Sequence, residues 1–287
     1  SFGYIDLTPE SYPGLPENIE SQATTNRNKA KLSYSRNIKN KELSSFVKAD
    51  YNFFKYYGYD ADIDELARSG IYKTNNDSNK QSIFKLAANV RFKSKDYISK
   101  WKYDFQTNYR LFSNRNELKE HSIFTDLNGE YRMESSSFGI NFNMHNIIMD
   151  RPESNDMFNY SKDRNLHSYT MLKFTPHYTY HNEIAKIIIG VKGSFSIGQG
   201  KKGAVTPDIY ADVRIAKEKV YLYAGVTGDY VVNNYYNTIE ENKYIASDTR
   251  LEDTYTPIDV YAGFKFKFAK RLDFNIRAGY KIINNAY

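Results

Sequence analysis

The sequence predicts an all-β fold, an antiparallel up-and-down β-barrel that crosses a membrane with about 12 to 13 strands and forms one domain over residues 1–287. Three observations lead to this prediction. Aromatic residues reach 16% although hydrophobic residues make up only 40%, and this composition favours strands. Polarity alternates at every second residue in segment after segment. Short turns alternate with long polar connections along the chain.

The alternating polarity marks the candidate strands. In 84–92 every second residue is apolar, whereas Lys85 and Arg91 lie on the other face, and 101–111 repeats this pattern after a short join. The candidate strands are 2–7, 30–36, 47–53, 84–92, 101–111, 123–131, 138–144, 172–180, 185–197, 209–215, 220–230, 258–268 and 272–282. Each is predicted to have one apolar and one polar face.

Short and long connections alternate between the candidate strands. Every second connection is short, and the others hold most of the Asn, Asp, Ser and Pro residues. Outer-membrane barrels show the same asymmetry, with short periplasmic turns and long extracellular loops. The long loops predicted to be extracellular are 8–29, 54–81, 112–122, 146–171, 198–208 and 231–257.

Hydropathy favours strands over helices as the membrane-spanning element. No run of 18 apolar residues exists, so a transmembrane helix is excluded, and the mean hydropathy of -0.69 is compatible with alternating strands. A soluble sandwich would also alternate. However, the apolar faces continue over eight or more residues in several strands, which is long for a soluble strand. The opposite face is predicted to be charged along its length, and no second apolar layer is recognisable in the sequence. Both observations argue against a sandwich. Lipid is the simplest cover for the apolar face.

The alternation assigns side chains to the two faces of the barrel. The residues predicted to face lipid are Phe84, Leu86, Val90, Phe92, Phe105, Ile187, Ile189, Phe264 and Phe266. The aromatic residues predicted at the membrane interfaces are Trp101, Tyr103, Tyr109, Tyr178, Tyr180 and Tyr230. The residues predicted to face the lumen are Lys85, Arg91, Asp104, Arg110, Lys192, Arg214, Lys265 and Arg277. Because both signs of charge occur on this face, we expect a wall of ion pairs with a mild preference for anions.

The odd number of candidate strands predicts an incomplete barrel segment, since bacterial single-chain barrels have an even number. Strands outside this sequence or another chain would then close the sheet edge. Two alternatives remain open. In the first, residues 2–7 form no strand, which leaves twelve strands. In the second, self-association of the chain covers the edges of the sheet.

The sequence contains partial binding motifs, but each lacks a residue that the motif requires. Asp60, Asp62 and Asp64 are spaced as in a calcium loop, but Glu65 stands where the turn needs Gly. Residues 198–203 (GQGKKG) lack the Lys-Ser/Thr pair of a phosphate loop. With no Cys, five scattered His residues and no nucleophile elbow, we predict no catalytic site, no metal, no cofactor and no enzyme activity. Aromatic rings and cations lie on opposite faces, so we also predict no nucleic-acid binding.

Residues 207–214 (PDIYADVR), 220–230 (VYLYAGVTGDY) and 233–236 (NNYY) resemble the barrel portion of Bacteroidetes outer-membrane proteins that are TonB-dependent receptor-like. The resemblance implies a Gram-negative outer-membrane receptor or transporter for solute uptake. Its implied partners are outer-membrane lipid and an outer-membrane lipoprotein or a plug or energy-coupling protein. We recognise no plug domain or energy-coupling box in these residues, which keeps a second interpretation open. In that interpretation a structural or assembly barrel anchors a partner protein or lipoprotein through its long loops.

Overall fold

A single antiparallel sheet dominates the structure. The computed structural model describes residues 10–12, 23–55, 80–96, 98–115, 118–150, 168–198, 202–216, 220–242, 251–269 and 272–285. In these residues each strand pairs antiparallel with the strand before it in the sequence. The strands are β1 (Glu10–Tyr12), β2 (Ala23–Ile38), β3 (Lys41–Lys55), β4 (Lys80–Ser94), β5 (Trp101–Asn114), β6 (Lys119–Arg132), β7 (Ser136–Asp150), β8 (Tyr169–His181), β9 (Ala185–Ile197), β10 (Gly203–Ala216), β11 (Val220–Val231), β12 (Thr254–Ala269) and β13 (Leu272–Asn284). The predicted all-β, up-and-down fold is confirmed.

The strands are longer than the predicted segments, so each of the predicted long loops extends too far into the neighbouring strands, as two examples show. Phe112 still pairs with Glu120, which shortens the predicted loop 112–122 to 115–118. Gly203 pairs with Phe195, which shortens the predicted loop 198–208 to 198–202. At the first of these strand ends the alternation is hidden in the sequence, because buried apolar residues also occupy the polar face there.

The amino-terminal region departs from the prediction as well. The candidate strand 2–7 lies outside the described residues. Within the predicted loop 8–29, β1 pairs with residues 23–25 of β2, so part of this loop belongs to the sheet. In the described part of the chain β1 and β13 are the two edges of the sheet. Closure by further strands or by another chain stays a prediction.

Polar side chains fix the short turns. The Asn182 side chain accepts hydrogen bonds from the backbone N–H groups of Ile184 at 2.9 Å and Ala185 at 2.7 Å. Asp96 does the same for Ile98 at 2.9 Å, and these hydrogen bonds lower the pKa of its carboxyl. Side chains that mimic turn hydrogen bonds favour tight reversals, so neighbouring strands are locked in register.

The two faces of the sheet are distinguished by contacts between strands that are not neighbours. Lys173 of β8 donates to Asp229 of β11 at 2.8 Å, and Lys192 of β9 donates to the Gly228 carbonyl of β11 at 3.2 Å. Such contacts require the side chains to converge, so they mark the concave face. We call it the inner face and the opposite side the outer face.

One helix lies in the described residues, α1 (Tyr235–Glu241), in the connection between β11 and β12. The Asn234 side chain begins it by accepting a hydrogen bond from the Asn237 N–H at 3.1 Å, an N-cap arrangement. Tyr235 and Ile239 are buried. No helix in the described ranges has the length and apolar character needed to cross a membrane.

Candidate functional site on the inner face of the sheet

The outer face is almost free of charge. From β5 to β10 its positions carry two charged residues, Lys119 and Asp150, which oppose each other in the register at strand ends. Among the described residues more large apolar side chains are exposed than buried. A sheet in water usually solvates one face with polar groups, so this outer face matches an apolar environment.

The structure places all nine residues predicted to face lipid on the outer face: Phe84, Leu86, Val90, Phe92, Phe105, Ile187, Ile189, Phe264 and Phe266. Val90 is 45% exposed and Ile189 is 55% exposed. Phe105 lies between Phe92 of β4 and Leu127 of β6 in the register. The row continues across β7 and β8 with Phe142 and Phe174. Contact of these side chains with lipid stays a prediction.

Most of the aromatic residues predicted at the interfaces lie on the outer face beside the short turns, namely Trp101, Tyr103, Tyr178 and Tyr180. Tyr109 also takes an outward position but lies nearer the other end of β5. Trp101 packs on Tyr131 with ring centroids 4.9 Å apart, and Tyr178 packs on Phe138 at 5.0 Å. Because these strands are neighbours, the four rings form a row across β5 to β8, as an aromatic girdle would.

The prediction for Tyr230 is wrong. Its side chain is 3% exposed and packs with Met171 and Ala204, which lie on the inner face. The register between β11 and β12 shifts between Thr227 and Asp229, and this irregularity breaks the strict alternation that placed Tyr230 outside.

The predicted lumen residues share the inner face: Lys85, Arg91, Asp104, Arg110, Lys192, Arg214, Lys265 and Arg277. Most of these cations have acidic or aromatic neighbours. Arg91 forms an ion pair with Asp104, and Lys192 forms one with Asp208 at 3.0 Å. Arg277 lies 3.8 Å from the Tyr261 ring centroid, a cation–π distance. These contacts agree with the expected wall of mixed charges.

The end of the inner face beside the long connections contains a buried apolar cluster as well as charged residues, whereas the sequence predicted a face that is charged throughout. A segment that folds back onto the inner face covers this end, and we call it the cap (residues 232–242, which include α1). Tyr235 of the cap stacks on Phe112 with ring centroids 5.9 Å apart. The buried cluster consists of Phe54, Ile83, Phe112, Leu118, Tyr235, Ile239 and Leu251. Burial of this cluster fixes the cap to strands on the other side of the inner face.

Polar contacts hold the same cap. Glu120, which is 1% exposed, accepts hydrogen bonds from the backbone N–H groups of Tyr235 at 2.7 Å and Tyr236 at 3.3 Å. Lys85 donates to the Tyr236 carbonyl and to the Glu240 carboxylate, each at 2.7 Å. The Lys85 hydrogen bond holds the pKa of Glu240 below its ordinary value. Buried groups with this many charge-assisted contacts specify one position for the cap.

Sequence reasoning missed the cap and the role of Glu120. The signal was the apolar residues that interrupt the polar face near the long connections, such as Ile83 and Phe112. An apolar patch on an otherwise charged face indicates that another part of the protein covers it. A local polarity pattern does not predict which segment that is.

A second feature of the inner face is a cavity of about 920 Å³ beside the short turns. Side chains from β4 to β9 line it, and cations outnumber carboxylates among them. Within the described ranges no three His, Cys, Asp or Glu residues come together as a metal site. Asp60, Asp62 and Asp64 lie outside those ranges.

Comparison with solved structures gives the fold. The alcaligin outer-membrane receptor FauA from Bordetella pertussis matches 90% of this chain at 12% identity and a TM-score of 0.50. The copper transporter OprC matches 87% at 9% identity and a TM-score of 0.51. This chain covers 45% of each of those chains, so it spans less than half their length. No protein-family model and no curated protein matches the sequence. The likeness is to the β-barrels of outer-membrane receptors and transporters.

Proposed function

We propose that the chain is a β-barrel of the outer membrane of a Gram-negative bacterium that serves as a receptor or transporter in solute uptake. The nearly charge-free outer face carries this proposal. An inverted distribution, with apolar residues outside and ion pairs inside, suits lipid on the outer face and water on the inner one. The TonB-dependent receptor-like sequence motifs and the barrel fold point to uptake, with a plug or energy-coupling protein as a further partner.

Spin labels test the membrane part of the proposal. A label at Phe105 or Ile189 in vesicle-inserted protein should be shielded from a polar quencher and accessible to oxygen. Labels at Gln106 and Lys192, the matched positions of the inner face, should show the opposite. Free access of the polar quencher to both outer positions would contradict the assignment to lipid.

The cap favours a second candidate function. Buried contacts hold it against the inner face, so it covers that end of the sheet. Such a cover suits a structural barrel that anchors a partner protein or lipoprotein through its long loops. Conductance in a planar bilayer distinguishes the two. A transporter should conduct more when the cap is loosened by Glu120→Ala, whereas equal low conductance with and without the substitution would favour the anchoring role.

A further inference from the structure

The cavity beside the short turns is unusually cationic. Its lining includes five Lys and Arg side chains but two carboxylates, Asp104 and Glu130. Both carboxylates already have partners, since Arg91 forms an ion pair with Asp104 and Arg132 lies 2.9 Å from Glu130. Lys95 forms an ion pair with Glu42, a residue outside the lining, at 2.8 Å. Cations therefore outnumber carboxylates in the lining itself.

Two lysines stand on opposite sides of this cavity. Lys93 belongs to β4 and Lys186 to β9. Both are exposed, and neither forms an ion pair with another described residue. Each lysine ammonium is a strongly hydrated point charge that can contact an anionic oxygen.

The lining between these lysines supplies neutral hydrogen-bonding groups. Asn141 and Thr179 contribute amide and hydroxyl groups from β7 and β8, whereas the buried Ser137 hydrogen-bonds to Glu130. His177 lies over Gly139, where a Cβ atom would approach the His177 Nε2 to 2.2 Å, so the absence of a side chain at Gly139 makes room for the ring. Cations combined with neutral donors recognise phosphate and carboxylate oxygens.

We infer that this cavity binds a multiply charged small anion, of the polyphosphate or polycarboxylate class. Its volume lies within the range of about 300–1,000 Å³ that is typical of small-molecule sites. Because the cavity belongs to the inner face, the ligand arrives from water and is not a lipid headgroup. The inference requires a folded barrel but not transport, so binding can be measured even if the proposed uptake function is wrong.

Calorimetric titration of the full chain, folded in detergent micelles, with inorganic tripolyphosphate tests the inference. The double variant Lys93→Gln/Lys186→Gln should bind at least about tenfold more weakly at low ionic strength, since it loses two charged contacts. The matched control is Lys265→Gln/Lys281→Gln, which removes the same charge from the inner faces of β12 and β13. This control should change the affinity less than about twofold.

Three results would overturn the inference. The unaltered chain gives no binding heat, or the control pair weakens binding as much as the cavity pair, which would indicate general attraction to the inner face. A glutamate hexapeptide that binds while tripolyphosphate does not would assign the cavity to a protein segment instead. Circular dichroism and resistance to detergent unfolding confirm that each variant is folded.

Discussion

Replacing Phe105 by Arg places a charge on the outer face where the apolar environment should be deepest. Phe105 is the fifth residue of β5 and follows the aromatic row at Trp101. Four residues of strand span about 13 Å, and a tilt of about 40° converts this into a depth of about 10 Å. In an apolar band about 25 Å tall, Phe105 is then close to the midplane.

The expected cost follows from this depth. Arginine at the midplane of a barrel costs about 2–4 kcal/mol, which lowers the folding equilibrium constant roughly 30- to 1,000-fold. Gln106→Arg provides the matched control, one residue along the same strand. Its side chain belongs to the inner face and opposes Asp126 in the register, so a change within about 1 kcal/mol is expected.

The two variants are compared by reversible denaturant unfolding from lipid vesicles, with the unaltered chain measured in parallel. A loss of stability for Phe105→Arg well above that for Gln106→Arg is expected. If both variants lose the same stability, the two faces have the same solvent, and assignment of the outer face to lipid fails.

Three further predictions concern the cap and the inner face. Glu120→Ala removes the acceptor of two backbone N–H groups, so it should destabilise the closed cap by about 1–3 kcal/mol and speed proteolytic cleavage within 232–242; unchanged cleavage would contradict the contact. Because hydrogen bonding to Lys85 lowers the pKa of Glu240, their stabilisation is present above the ordinary value of 4.5 and lost as pH falls through the folded value. Cleavage should accelerate below about pH 4.5, and Glu240→Gln should flatten this dependence. Gly139→Ala should cost about 1–3 kcal/mol in unfolding experiments because its Cβ would overlap a neighbouring ring, whereas Gly129→Ala, with the nearest atom at 3.5 Å, should cost less.

The sequence predicted those strands whose two faces differ in polarity throughout. β9 begins at Ala185 and ends at Ile197, as expected from Ile187 and Ile189 alternating with Lys186 and Lys192. The charges of the inner face followed from the same alternation. In such segments the alternation of polarity with a period of two residues is enough to predict which face each side chain takes.

The prediction failed where another part of the chain changes the environment. Phe112 ends the visible alternation after Leu111, yet it remains in β5 because Tyr235, far along the sequence, covers it. Tyr230 fits the outer pattern by position alone, but the shift after Thr227 turns it inward. Both errors depend on tertiary contacts and irregular register, which a local polarity pattern does not contain.

The contacts of the cap also have a consequence for the order of folding. Neighbouring strands meet over short stretches of chain, whereas Lys85 joins Tyr236 and Glu240 across separations of 151 and 155 residues. Glu120 joins Tyr235 across 115 residues. Closing loops of this size costs conformational entropy before any contact forms, so hairpins should assemble first and the cap should dock last. The same segment should be the first to detach when the protein unfolds, so the inner face should lose its cover before the strands separate.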